Sequence, residues 1–186
     1  MKDMGHIMNQ DSILERLNKL DMEAFTTIDT PQTYKMIIVG GSGLVLLGVI
    51  SRATQDIDAL EASPEIRHLL SKYDANLHVS TYINNFPYNF EDRLVRLPVG
   101  GRKIIFYSCS LEDIVIAKLY SPRAADRQDL ISENVLKNLD WDKLRHLALD
   151  ENEARASALN ERRYRDFLCD YEEYVKRYGS HEKTDI

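Results

Sequence analysis

A chain of 186 residues can bury a sizeable core in one domain, and 44% hydrophobic with 29% charged residues is an ordinary globular composition. The net charge of −6, from 24 basic and 30 acidic residues, argues against a protein living on non-specific nucleic-acid affinity, which needs a basic excess. Its amino terminus lacks the order of a signal peptide, and the apolar run 36–50 is too short and glycine-rich to cross a bilayer; the expectation is a cytoplasmic protein with no membrane partner.

Ile13, Leu14, Leu17, Leu20 and Phe25 recur near helical spacing, which predicts a helix over 10–25 with Asp11 as cap. Residues 34–39 read as a buried strand running into Gly40-Gly41-Ser42-Gly43, followed by a short apolar helix over 44–50. A second strand is predicted over 55–60. Ser63-Pro64 starts a helix with Ile66, Leu69 and Leu70 on one face. The stretch 74–92 has no clear period, and 84–87 reads as a loop. Strands over 93–97 and 103–108 flank Pro98-Val99-Gly100-Gly101 as a hairpin. Ser110 caps a helix with acids in its first turn, and Ser121-Pro122 breaks it. From about residue 125 the pattern is helical to Tyr178, interrupted near 140 and 150 and closed by Gly179. The reading is an α+β fold: a small mixed or antiparallel sheet flanked by helices over 1–125, and a C-terminal helical region over 126–186 packed on that core.

Three features carry chemistry. The glycine run fails the dinucleotide fingerprint, because four residues separate Gly43 from Gly48, and fails Walker A, because Val49-Ile50 replace Lys-Ser/Thr. It remains either a phosphate cradle of backbone N–H groups and the Ser42 hydroxyl, or a tight turn. Asp56-Ile57-Asp58 alternate in a strand, so both carboxylates point to one face. Adjacent carboxylates repel unless they share a proton or hold a cation; here they hold a divalent ion or are neutralised by Arg52 or another arginine. Lys118 continues the stripe Leu111, Ile114, Val115 and therefore snorkels or reaches a polar pocket. Asp126 and Asp129 are compatible with simple first-turn acids. Cys109 and Cys169 match no zinc or redox spacing and read as buried free thiols. The aromatic and basic run that includes Tyr164, Tyr171 and Tyr174 reads mainly as packing and solvated surface.

In this order, Gly41-Ser42, Asp56-Ile57-Asp58, Lys118, Arg123 and Asp126-Arg127-Gln128-Asp129-Leu130 resemble the nucleotidyltransferase superfamily that includes polymerase-beta-like enzymes, most closely its AbiEii-like toxin branch. The match covers about residues 34–150, with Ala125 where a basic residue is usual. The resemblance implies Mg²⁺-dependent transfer of a nucleoside monophosphate from an NTP to an acceptor hydroxyl. Asp56 and Asp58 would hold the metal. Gly40, Gly41, Ser42, Arg52 and Lys118 would meet the nucleotide, and Asp126 would activate the acceptor or assist the metal. Acceptors in similar toxins are RNA ends, tRNA above all, and a cognate antitoxin is a partner the branch brings with it. The third carboxylate of many relatives is missing from 93–97 and 103–108; Glu91 and Asp92 are its nearest substitutes. Two other readings stay open: a non-catalytic nucleotide- or partner-binding protein of the same fold, and an antibiotic-type enzyme acting on a small molecule.

Overall fold

Helix α1, Gln10–Thr27, buries Ile13, Leu17, Leu20, Asp21 and Ala24. Its cap is Asn9, whose Oδ1 accepts from the Ser12 amide at 2.9 Å, and not Asp11, which lies in the first turn where the helix dipole favours an acid. Phe25 is exposed, because Ala24 is the residue four on from Leu20 and takes the inward position. The computed structural model describes residues 7–51 and 54–179. It divides into two units, Met1–Ile83 with Leu94–Cys109, and Asn84–Arg93 with Ser110–Ile186.

The first unit is built on five strands: β1 Tyr34–Ile38, β2 Ile57–Ala62, β3 Ala75–Asn76, β4 Val95–Gly100 and β5 Ile104–Ser108. Their order is β3-β2-β1-β5-β4. β1 runs parallel to β5 and antiparallel to β2, β2 parallel to β3, and β4 with β5 is the expected hairpin. Tyr34, Met36 and Ile38 align with Ile104, Phe106 and Ser108 on one fully buried face. Lys35 and Ile37 align with Ile105 and Tyr107 on the other, which also takes Asp58 and Glu61 across a bulge at Leu60. The mixed sheet with helices is the α+β class expected.

Helix α2, Gly40–Leu46, starts at the glycines and not at residue 44, since the Gly43 amide already donates to the Val39 carbonyl at 2.9 Å. Ser63 does not cap the next helix with its side chain. Its hydroxyl instead takes the Lys35 amide at 3.0 Å, and Pro64–Tyr73 winds as a 3-10 helix. A second 3-10 segment, His78–Asn85, absorbs Asn84 and Asn85, where the sequence predicts a loop.

One buried carboxylate fixes the hairpin to α1. Asp21 is 1% exposed and accepts the amides of Arg102 at 3.1 Å, Lys103 at 2.8 Å and Ile104 at 2.6 Å. The tight end of the hairpin leaves these N–H groups without strand partners, and a single side chain satisfies all three.

The second unit is helical: α3 Leu111–Leu119, α4 Ala124–Leu130, α5 Glu133–Asn138, α6 Trp141–Leu149, α7 Ala154–Ser157 and α8 Glu161–Tyr178. Ser110 caps α3 as expected, taking the Asp113 amide at 3.3 Å. Tyr164, Phe167, Tyr171 and Tyr174 form the buried stripe of α8, and two of their hydroxyls end on the Ala148 and Leu130 carbonyls. Tyr120 stacks on Phe167 with centroids 4.5 Å apart. The exposed side of α8 mixes both signs, so packing and solvated surface account for this run, as expected. Arg93 spans Asp113 of α3, at 2.9 Å, and Glu153, at 3.1 Å, and so ties 84–93 to the helices. Cys109 is buried, whereas Cys169, expected inside, lies on the outward side of α8. No helix among the described residues is long and apolar enough to cross a membrane.

Asp21→Ala leaves the buried amides of Lys103 and Ile104, and the part-buried amide of Arg102, without their acceptor and is expected to cost about 3 kcal/mol or more of unfolding free energy by urea titration. Amide exchange should accelerate first at Arg102, Lys103 and Ile104.

Candidate functional site

In the first unit, β1, α2 and β2 converge on Asp58. Its carbonyl accepts the Val39 amide at 2.9 Å, and its amide donates to Ser42 Oγ at 3.1 Å. The Ser42 hydroxyl in turn donates to the Val39 carbonyl at 2.9 Å, closing a loop of bonds around the junction. Ser42 is fully buried, and its visible work is to tie the start of α2 to β2. Gly40 completes the arrangement. It adopts φ +64, a left-handed conformation that costs other L-residues about 1–2 kcal/mol. A Cβ there would lie 2.9 Å from Asp58 Oδ2, so the carboxylate occupies the space that the missing side chain leaves.

Asp56 precedes β2 at a bend, with Ile57 buried between it and Asp58. The two aspartates are half-buried. Asp56 Oδ2 accepts from Asn76 Nδ2 at 2.9 Å, and Asn76 is the register partner of Asp58 on β3. Asp56, Asp58 and Asn76 therefore share one face of the sheet, at its junction with the glycine turn. The amides of Gly41 and Ser42 lie in the first turn of α2, where the helix itself offers no acceptor. Arg52 lies outside the described residues.

Among the described residues no group of three or more His, Cys, Asp or Glu side chains is placed to hold a metal. Two carboxylates nonetheless suit Mg²⁺, a hard cation usually held by one or two protein carboxylates with waters and substrate phosphates completing its shell. Glu91 and Asp92, considered as a third ligand, are exposed residues of the second unit.

Lys118 and Asp126 belong to that second unit, where they meet each other. Lys118 is 5% exposed, and its Nζ lies 2.5 Å from Asp126 Oδ1 and 2.9 Å from Asp129 Oδ2. The pocket reading of Lys118 thus holds over snorkelling. Asp126 Oδ2 also accepts from Arg123 Nε at 2.7 Å and from the Ser121 hydroxyl at 2.6 Å. Burial pushes the Asp126 carboxyl up, but Arg123, Lys118 and Ser121 outweigh it and hold the group down at about 2. A carboxylate held that low is a weak proton acceptor at neutral pH and a good anchor for a lysine. In the sequence Asp129 has only the look of a first-turn acid, and Asn76 and Asp21 carry no signal of a role. Asp129 and Asp126 are three apart on α4, the one sign that both could reach a single cation.

Gly40→Ala and Gly48→Ala, the latter at φ +73 with open space around it, should each lose about 1–2 kcal/mol in denaturant titration from the backbone alone. Gly40→Ala should lose more, and the excess measures its contact with Asp58. Lys118→Met removes the buried cation that Asp126 and Asp129 share and should cost about 3–5 kcal/mol at pH 7. That deficit should shrink on acidification, as Asp126, held less low without the lysine, protonates. In the wild type the stabilisation from Asp126 is fully present above about pH 4, the ordinary carboxylate range, and is lost only as pH falls through about 2.

No curated protein and no solved structure matches this chain. A family model does, over residues 15–179, which takes in the glycine turn, both aspartates of the 56–58 triplet, Lys118 and the acids of α4. The chain belongs to that family, described as nucleotidyltransferase of unknown function (DUF6036).

Proposed function

We propose that this protein transfers a nucleoside monophosphate from an NTP to an acceptor hydroxyl, with Asp56 and Asp58 as ligands of Mg²⁺. The observation that carries the reading is the Asp58 carboxylate seated against Gly40, its backbone bonded on both sides to the β1–α2 junction. A carboxylate so fixed beside a turn of first-turn amides suits a metal-bound triphosphate. Bound Mg²⁺ would supply charge neutralisation at the phosphates. The amides of Gly41 and Ser42 would meet phosphate oxygens, while the Ser42 hydroxyl keeps Asp58 in place. Such a site works mainly by positioning and fixed charge, and rigid bonds at the junction reduce the reorganisation needed when substrate binds.

Arg52 belongs to the reading as a cation for the nucleotide. Asp126 enters as the group that orients Lys118 within the second unit. The acceptor we assign to RNA, tRNA first, with the AbiEii-like toxin branch and a cognate antitoxin as the biological setting; the motif order in the sequence supports this assignment.

The test is incubation of the full chain with Mg²⁺, each α-labelled NTP and total bacterial RNA. Label should move to RNA with wild type, and Asp58→Asn should reduce the rate by about 10²–10³-fold, the scale of several kcal/mol of lost charge stabilisation. Nucleotide binding without transfer to any acceptor would instead favour a non-catalytic binding protein of this fold. Label on a small cationic acceptor and none on RNA would favour the antibiotic-type enzyme.

A further inference from the structure

We propose that Asn76 is a positioning residue for Asp56, fixing its carboxylate for a divalent cation without adding or removing charge. The inference rests on the reading of Asp56 and Asp58 as cation ligands. Asp58 is held by the strand ladder and by Ser42. Asp56 lies before β2 begins, so the ladder does not fix it. Its restraints come from elsewhere. Thr54 Oγ1 donates to its carbonyl at 3.0 Å, and Thr54 is itself bridged to Met8 by amide–carbonyl bonds of 2.7 and 3.0 Å. The carboxylate is held by Asn76, whose Nδ2 donates to Oδ2 at 2.9 Å.

A second bond sets the orientation of that amide. Asn76 Oδ1 accepts from the His78 backbone N–H at 2.9 Å, and since a backbone N–H can only donate, the oxygen faces His78 and the nitrogen faces Asp56. The short strand β3 and the start of the 78–85 segment thus aim one N–H at one carboxylate oxygen.

The choice of an amide has a physical reason. A lysine or arginine here would neutralise Asp56 and compete with a cation. A carboxylate would add a third negative charge with no ion present to balance it. A neutral donor does neither: it orients the carboxylate through a hydrogen bond and leaves its charge for the metal. The sheet register strengthens the point, because Asn76 stands directly beside Asp58 and one residue orients the first aspartate while pairing with the second.

The experiment uses Mn²⁺ alone as probe, titrated into the full chain and followed by the loss of free-ion paramagnetic resonance signal. Asn76→Ala is expected to raise the Mn²⁺ Kd about tenfold, the usual effect of removing a partner that orients a metal ligand, with the thermal midpoint little changed. Asn76→Gln, which keeps an N–H donor, should recover most of that loss. In an Asp56→Asn background Asn76→Ala should add no further loss. Should Asn76→Ala fail to fold, Asn76→Leu, close in size and without a donor, takes its place. Unchanged Mn²⁺ affinity in the donor-less variants, with binding abolished by Asp58→Asn, overturns the role of Asn76 and leaves the cation site standing. A wild-type chain that takes up no Mn²⁺, or an Asp58→Asn chain that still does, overturns the cation reading itself.

Discussion

The loop of hydrogen bonds joining Val39, Ser42 and Asp58 is the constraint on which the first unit's chemistry depends. Each bond closes a need the others create. A helix begun on glycines has weak intrinsic propensity and leaves its first amides without partners. Ser42 fastens that helix to the strand before it and to the strand after it through one hydroxyl. The same bonds fix Asp58 on both sides of its Cα, so its carboxylate has little freedom but rotation about its own side chain. Gly40 then removes the Cβ that would displace it. The first-turn amides of α2 and the fixed carboxylate of Asp58 come from the same junction because the same residues make both.

The second unit uses buried charge differently. Its two ionic clusters, Lys118 with Asp126 and Asp129, and Arg93 with Asp113 and Glu153, sit where desolvation is expensive. Each pairs cations with more than one carboxylate and satisfies the remaining oxygens with hydroxyls or further N–H groups. Burial pushes the Asp113 carboxyl up, against the pull of Arg93 and Ser110, whereas at Asp126 the partners prevail and the carboxyl is held low. A buried pair of this kind adds little net stability over an apolar equivalent, but losing one partner is costly. Its gain is specificity: it fixes which segments meet, the 84–93 segment with α3 in one case and α3 with α4 in the other.

Membership of a family described as nucleotidyltransferases of unknown function names a class of chemistry and no acceptor. The acceptor is set by what the surfaces around such a site can hold, and that differs among proteins sharing one fold. The charges of α8 come in blocks, with Arg162, Arg163 and Arg165 near its start, acids from Asp166 to Glu173, and Lys176 and Arg177 at its end. Arg96 and Arg102, exposed on the hairpin of the first unit, are basic groups that the same unit as the paired aspartates presents to solvent.

Much of this was legible in the chain itself, and the reason is local periodicity. The serine at 110 announced α3, and the aromatic spacing after Tyr164 announced a packed helix, whereas the strand expected from residue 55 begins only at Ile57, so it is Asn76 and not strand alternation that holds Asp56 on the face of Asp58. Local signals also misled at boundaries. Glycines suggested a loop where tertiary bonds from Val39 and Ser42 hold the first turn of α2, and Phe25 outweighed Ala24 by hydrophobicity although Ala24 has the inward angle. What no window of sequence contains is a partner from a distant segment. Asp21 meets amides 81 to 83 residues away, Asn76 reaches back 20 residues to Asp56, and Asp58 bonds a serine 16 residues earlier. The sequence determined which glycines, acids and amides stand at which spacing, because composition and spacing are properties of the chain. Only the fold decided which of them are held in place, because that depends on hydrogen bonds formed across strands and turns after the backbone has closed on itself.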